Sequence, residues 1–362
     1  MYLSRISLSN FRSYSKLNFE FKSPLILLYG DNAQGKSSLL EAIYFAATTK
    51  SLRAEKDEEL ISEGEEVCRV EVKIESGSGA IAESSQSIET TDLEIVMQLL
   101  DGSLTKRSKV NGVPRRVLDY IGNLYVILFA PEDINLVMGS PSLRRWHIDL
   151  TLAQLDRHYK KSLTDYGETL TRRNRLLKNI REGLSRVDEL TFWSDELLKH
   201  GQIVQQKRRE LFEFINKTEK KLGEFRFVLK ENLLTKERLL EYQSREIESA
   251  MSLVGPHRDD FDFYLKEKLL SKYGSRGEIR TAVVDLKMSE VLFSERKTGQ
   301  RPILLLDDVF SELDTSHREH VLNLTLMQQT IVASVEMDQL LQEFFQKHGL
   351  IYKIEQGIMT SF

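Results

Sequence analysis

One cysteine, Cys68, stands in 362 residues, which excludes an internal disulfide framework. It fits a reducing compartment such as the cytosol. No apolar run reaches the roughly 18 residues that a membrane-spanning helix requires. Residues 1–9 lack the charged-then-apolar layout of a secretory leader. A large excess of one charge is missing too: the net charge is −4, so no overall basic character announces a nucleic-acid partner. Neither a Cys/His cluster nor a Ser/His/Asp nucleophile set is visible, and no internal repeat interrupts the chain. These absences point to a soluble, cytoplasmic protein. The 41% apolar content is enough for a sizeable core, and the length suggests two or three domains or lobes.

Three zones differ in texture and give expected domains of 1–140, 141–250 and 251–362. In the first, Leu17, Phe19 and Phe21 alternate with Asn18, Glu20 and Lys22, the period of a half-buried strand. Residues 25–29 form an unbroken apolar run that reads as a fully buried strand. A helix over 36–48 follows. Segments 67–74 and 93–100 read as paired strands around a polar loop, 76–91. Asn111-Gly112 is a tight-turn signal inside a basic segment, 106–116. In the second zone, Leu152, Leu155, Tyr159, Leu163, Tyr166, Leu170 and Leu177 recur at helical spacing. Trp193, Leu197, Val204, Leu211 and Ile215 do so again. A turn at 183–188 separates them, so two antiparallel helices are expected, each of about 30 residues and roughly 45 Å long. This zone holds 23 Lys+Arg against 18 Asp+Glu, and the rest of the chain 28 against 37. The near-neutral total therefore hides a basic arm on an acidic body. In the third zone, 303–306 reads as a second buried strand, between helices near 278–295 and 315–328.

The chemistry is concentrated at Gly30, Asp31, Asn32, Ala33, Gln34, Gly35, Lys36 and Ser37, which match G-x-x-x-x-G-K-[ST] in full. The context agrees: buried strand, loop, helix. Glycines let backbone N–H groups curl around phosphate oxygens, and the helix N-terminus adds partial positive charge. Ser38 continues the first turn. Lys36 suits the β/γ oxygens of ATP, and Ser37 offers a hydroxyl to Mg²⁺. A second metal ligand is expected at the end of a neighbouring strand, where ligands of open α/β sheets bind. Asp307 follows the apolar run 303–306 and fills that role. Asp308 is the candidate base that orients the attacking water.

Two further segments narrow the class. Residues 273–280, with Ser275, Gly277 and Glu278, look like the signature motif of ATP-binding-cassette ATPases. Residues 311–314, ending at Asp314, look like their D-loop. Within that group the chain resembles the RecF family of bacterial recombination and repair proteins, ABC/SMC-like ATPases. The resemblance is carried by 6–14 (ISLSNFRSY), the P-loop, 51–53 (SLR) and 129–133 (FAPED). It continues through 139–145 (GSPSLRR), 254–261 (VGPHRDDF) and 304–314 (LLLDDVFSELD). It spans essentially the whole chain, although the arm is matched mainly in length and placement.

The resemblance implies an α/β fold: a two-lobed ABC-type P-loop ATPase head carrying an inserted antiparallel helical arm. It implies ATP-dependent homodimers paired head to tail, in which Ser275 and Gly277 of one chain close the other's ATP site and Asp314 crosses the interface. Arg12 would approach the nucleotide, while Arg53 is a candidate for the phosphates by its own place on the loop after the P-loop helix. The dimer would clamp double-stranded DNA near single-strand gaps. With RecO and RecR it would help RecA to load, supporting replication restart and the SOS response. Three departures point to slow hydrolysis: Ser334 stands where many relatives of this class carry a histidine, Asp308 is shorter than glutamate, and Glu132 is the substitute for a missing Q-loop glutamine. Candidate DNA contacts are Lys106, Arg107, Lys109, Arg115 and Arg116 around the expected hairpin, with Arg144 and Arg145 at the arm. Arg172-Arg173 and residues 207–209 form further basic clusters on the arm. Two rivals fit less well. The missing Q-loop, the missing histidine and the arm argue against a transporter motor. No acidic metal cluster follows the core, which argues against a nuclease-coupled ATPase.

Overall fold

The computed structural model describes residues 1–76, 89–310, 315–335 and 337–361. Most of the polar loop 76–91 and the D-loop segment with Asp314 lie outside the described residues. The chain divides into two compact units, Met1–Asp133 with Glu290–Phe362, and Ile134–Ser289.

The first unit contains two six-stranded sheets. One is antiparallel, in the order Tyr14–Glu20, Tyr2–Phe11, Val67–Ser76, Glu89–Leu100, Ser103–Val110, Val113–Arg115. Alternating burial along Val67–Ser76 shows the half-buried pattern that period-two sequences give. Asn111 (φ 49) and Gly112 (φ 75) make the tight turn between the last two strands, as the dipeptide predicts.

The other sheet has the order Ile358–Ser361, Leu350–Glu355, Leu25–Tyr29, Thr330–Ser334, Ile303–Asp307, Val126–Phe129. Its pairings are parallel except at the Ile358–Ser361 edge. Leu25, Ile26, Leu27, Leu28 and Ile303, Leu304, Leu305, Leu306 are all buried, the unbroken apolar runs of strands covered on both faces. Parallel pairing brings the C-terminal ends of Leu25–Tyr29, Thr330–Ser334, Ile303–Asp307 and Val126–Phe129 to one side of the sheet. The P-loop, Asp307, Ser334 and Ala130 therefore collect there from four distant parts of the sequence.

The second unit is built on Arg157–Arg181 and Leu190–Lys217, helices of 25 and 28 residues. They pack through Tyr166, Leu197, Leu234, Leu239 and Val254, and through Leu176, Leu177 and Leu190. The first long helix begins later than the repeat suggests. Asp156 accepts the Tyr159 N–H at 2.9 Å and caps a new helix, so Pro141–Leu155 is separate. This unit also extends beyond the expected 141–250. Phe225–Lys230 pairs with Asp260–Leu265, and that three-stranded sheet carries the packing on to Ser289.

Three of the arm's arginines, Arg144, Arg173 and Arg208, are turned inward. Arg173, 1% exposed, donates to Glu246 at 2.6 Å and to Ser252 at 2.7 Å. Arg208 donates to Asp149 at 2.7 Å and to Asp259 at 2.9 Å. Lys207 pairs with Asp156, and Arg209 with Glu231. Arg144 was expected as a DNA contact, and the geometry corrects this. It is buried, grips Asp260 with Nε and Nη2 at 2.6 and 3.1 Å, and donates to the Gly139 carbonyl at 2.9 Å. Isolated charge cannot be buried cheaply, so buried Arg144, Arg173 and Arg208 are each paired with a carboxylate.

His257 closes the return from the arm. Its Nε2 lies 2.9 Å from the Ser252 carbonyl, which can only accept, so Nε2 carries the proton. Nδ1 then accepts the Tyr166 hydroxyl at 2.6 Å. Gly255 (φ 130) allows the approach, because a Cβ there would fall 2.5 Å from that hydroxyl. Burial pushes the His257 pKa down to about 4. The unfolded chain binds this proton near pH 6.5, so stability present above that value is lost as pH falls from 6.5 to 4, by up to about 3 kcal/mol. Chemical unfolding followed between those pH values is expected to show the loss, and His257→Gln is expected to flatten it.

Candidate functional site: a phosphate cradle with a paired hydroxyl and carboxylate

The P-loop leaves the strand Leu25–Tyr29 and enters the helix Lys36–Thr48. Gly35 stands at the helix N-cap with φ 108. A side chain there would be strained and would lie 2.9 Å from the Tyr14 hydroxyl. That hydroxyl donates to the Gly35 carbonyl at 3.0 Å. The loop is braced from the C-terminal hairpin as well: Gln356 N–H donates to Gln34 Oε1 at 2.7 Å and Gly357 N–H to the Gln34 carbonyl at 3.1 Å. Sequence reading missed this brace, since more than 300 residues separate its halves.

Lys36 is 6% exposed, and its Nζ donates to the carbonyls of Gly30 and Asp31 at 2.7 and 2.6 Å. Burial lowers its pKa, against the charges of Asp307, Asp308 and Asp31. Ser37 donates its hydroxyl to Asp307 Oδ1 at 2.9 Å, joining the two expected metal ligands across the sheet. Burial raises the pKa of Asp307, opposed chiefly by Arg53 and the Ser37 hydroxyl. Asp308 follows with φ 50, and its N–H donates to the Ala333 carbonyl at 2.9 Å. Ser334 ends its strand buried.

Two arginines complete the site. Arg53 donates to Asp307 Oδ2 at 2.6 Å and to Glu132 Oε1 at 3.0 Å. Glu132 is thus one side chain away from the candidate metal carboxylate. Arg12 is held by Glu41 through two 2.9 Å bonds. A cavity of about 610 Å³ is lined by Arg12, by residues 32–38, and by Arg53, Asp307 and Asp308. Its size suits a nucleotide. Ser37 and Asp307 supply hard oxygen donors of the kind Mg²⁺ takes alongside phosphate oxygens and water.

Ser275, Gly277 and Glu278 lie in the second unit, at the start of the helix Arg276–Thr298. Ser275 N–H donates to Glu278 Oε2 at 2.7 Å and Glu278 N–H to Ser275 Oγ at 3.3 Å, a reciprocal cap. Lys268 and these bonds hold the Glu278 pKa down to about 2.

Among the candidate DNA contacts, Arg107, Arg115 and Arg116 are exposed. Lys106 is tied to Asp57 and to the Thr49 carbonyl, and Lys109 to Glu94 at 2.8 Å. Arg145, part-buried, donates to the Asp259 carbonyl at 2.8 Å.

A P-loop and a strand-end carboxylate on a mixed sheet, with a second unit, Ile134–Ser289, inserted in the sequence of the first, define an ABC-type ATPase head. The RecF/RecN/SMC N-terminal domain family matches residues 2–360. The chain is 35% identical to the DNA replication and repair protein RecF of Agathobacter rectalis, with 98% of each chain covered. It is 36% identical to that of Herpetosiphon aurantiacus, covering 97% of this chain and all of the other. Among solved structures it resembles the recombination mediator protein RecF-ATP of the RecFOR pathway: TM-score 0.87, 29% identity, all of this chain and 97% of that one. An Smc head domain from Pyrococcus furiosus, 17% identical with a TM-score of 0.54, shares the fold. The chain belongs to the RecF/RecN/SMC family and, within it, to the RecF proteins.

Proposed function

We propose that this protein is an ATP-dependent DNA-binding switch of recombinational repair. The observation that carries the ATP half is the Ser37–Asp307 hydrogen bond at 2.9 Å, which joins P-loop and strand-end carboxylate in one cavity with Lys36. Lys36 and the loop N–H groups bind the phosphates. Ser37 and Asp307 would hold Mg²⁺, which when bound neutralises charge on the β- and γ-phosphates. Asp308 orients the attacking water. Membership among RecF proteins, whose relatives are named for DNA replication and repair, supports the DNA half.

ATP then joins two chains head to tail, with Ser275, Gly277 and Glu278 of the second chain closing over the γ-phosphate and Asp314 crossing the interface. Nothing within 4 Å would meet a Cβ at Gly277. The chain's own packing therefore does not demand glycine there, whereas close approach of a phosphate does. The dimer clamps double-stranded or gapped DNA in the cytoplasm, and slow hydrolysis, stimulated by DNA, releases it. RecO and RecR are the partners, and RecA loading with SOS induction the outcome. No described helix is long and apolar enough to cross a membrane. Arg107, Arg115 and Arg116 are the exposed phosphate contacts, with Arg145 at the arm.

Light scattering of Asp308→Asn tests the assembly. With ATP and Mg²⁺ the mass is expected to double, and with ADP to stay that of one chain. An Asp308→Asn chain that remains monomeric in saturating ATP contradicts the clamp.

A further inference from the structure

The P-loop helix carries one buried carboxylate, Glu41, outside the phosphate-binding residues. Glu41 lies about one and a half turns into the P-loop helix and is 5% exposed. Its two oxygens accept Nε and Nη2 of Arg12, and Oε1 also accepts the Ser51 hydroxyl. Ser51 Oγ in turn accepts the backbone N–H groups of Arg53 and Ala54, both at 2.9 Å. That turn sets the base of the Arg53 side chain, whose guanidinium holds Asp307 and Glu132. One carboxylate thus fixes two cavity-lining arginines, Arg12 directly and Arg53 through Ser51.

Arg12 itself sits at φ 51 in the turn between the first two strands, and its third nitrogen donates to the Glu59 carbonyl at 2.9 Å. The hairpin, the P-loop helix and the 51–54 loop therefore meet at Glu41. Three donors converge there, two from Arg12 and one from Ser51. A carboxylate satisfies all three. An amide of the same shape offers one acceptor oxygen and turns an N–H group on a facing donor.

We infer that Glu41 is a positioning residue for ATP turnover, acting through Arg12 and through the Ser51–Arg53 relay to aim positive charge at the cavity and to orient Asp307. The inference rests on the ATPase reading of that cavity. It separates binding from turnover. The Glu41 carboxylate bonds to Arg12 and Ser51 and not to the side chains of Lys36 and Ser37, so the aim of Arg12 and Arg53 depends on it while the phosphate-binding side chains do not.

The test compares Glu41→Gln, Ser51→Ala and the double variant with the full-length wild type. Four quantities are measured: thermal midpoint, affinity for a fluorescent ATP analogue, kcat, and the Mg²⁺ concentration giving half-maximal analogue binding. Glu41→Gln is expected to lower kcat by about tenfold or more and to raise the Mg²⁺ requirement, while analogue affinity at saturating Mg²⁺ changes less than about threefold. Ser51→Ala is expected to move both quantities the same way by less. The double variant should lose less than the sum of the two single losses, since Glu41 reaches Arg53 through Ser51. A Glu41→Gln protein with a lower midpoint but wild-type kcat and Mg²⁺ requirement overturns the inference, as does parallel loss of affinity and kcat. If Glu41→Gln does not fold, Ser51→Ala decides: wild-type kcat and Mg²⁺ requirement there overturn the relay. A wild type that fails to bind the analogue sinks the underlying ATPase reading instead.

Discussion

Lys36→Met is expected to abolish ATP binding, with an affinity loss on the order of 100-fold or more, while the fold persists. The Lys36 ammonium is nearly buried and already sits 2.7 and 2.6 Å from the Gly30 and Asp31 carbonyls, at the mouth of the curled loop. Burial lowers its pKa, and three aspartates around the cavity oppose that shift. Phosphate oxygens entering the cradle would meet this cation directly, and charge-assisted hydrogen bonds of that kind are worth roughly 1.5–3 kcal/mol each. Methionine keeps the length and removes the charge. Arginine keeps the charge but brings a wide planar fork into a slot that leaves 6% of the lysine exposed. Fluorescent-analogue titration with a circular-dichroism control measures the effect. Normal ATP affinity in Lys36→Met would mean that the cavity is not the nucleotide site.

The second large effect is on stability. Arg173→Met is expected to destabilise the arm unit by about 3–5 kcal/mol. Arg173 and Glu246 are 1% and 0% exposed, and the pair is surrounded by further bonds to Ser252 and Leu253. Methionine strands the Glu246 carboxylate in the interior with a backbone N–H for company. Replacing both partners by apolar residues of similar volume is expected to cost much less, because no charge is then left without its counterion. Urea unfolding of the single and double variants measures this. Equal losses in Arg173→Met and the double variant would show that packing, not the stranded charge, sets the cost.

The contrast between these two lysine and arginine sites shows how far the sequence reaches. The candidate nucleotide site is legible because its residues are local: a glycine loop, a lysine and a serine in eight positions, entered from an apolar strand. Asp307 was legible because four apolar residues lead into it, and parallel pairing of Ile303–Asp307 with Thr330–Ser334 delivers it to the same edge. The two long helices were legible from their spacing, though Asp156 as a helix cap marks a break that the leucine repeat runs straight through. The arm's electrostatics were not legible. Counting charges by type gave a basic arm, but Arg144, Arg173 and Arg208 meet Asp260, Glu246, Asp149 and Asp259 from 51 to 116 residues away. Nothing in local spacing announces such pairs. The Arg12–Glu41 and Arg53–Asp307 bonds were hidden for the same reason. Arg12 is assigned to the nucleotide by resemblance and Arg53 to the phosphates by its place on the loop after the P-loop helix, and the carboxylates that hold them emerge only from the fold.

The most direct test of the account is duplex-DNA binding measured by fluorescence anisotropy in ATP and in ADP, across a series of salt concentrations. The account predicts at least about tenfold tighter binding in ATP, the size of an ordinary coupling between two sites. It also predicts affinity that falls steeply as salt releases the phosphate contacts. Equal affinity in ATP and ADP would contradict it: nucleotide could then occupy the cradle between Gly30 and Ser37 without acting as a signal to hold DNA.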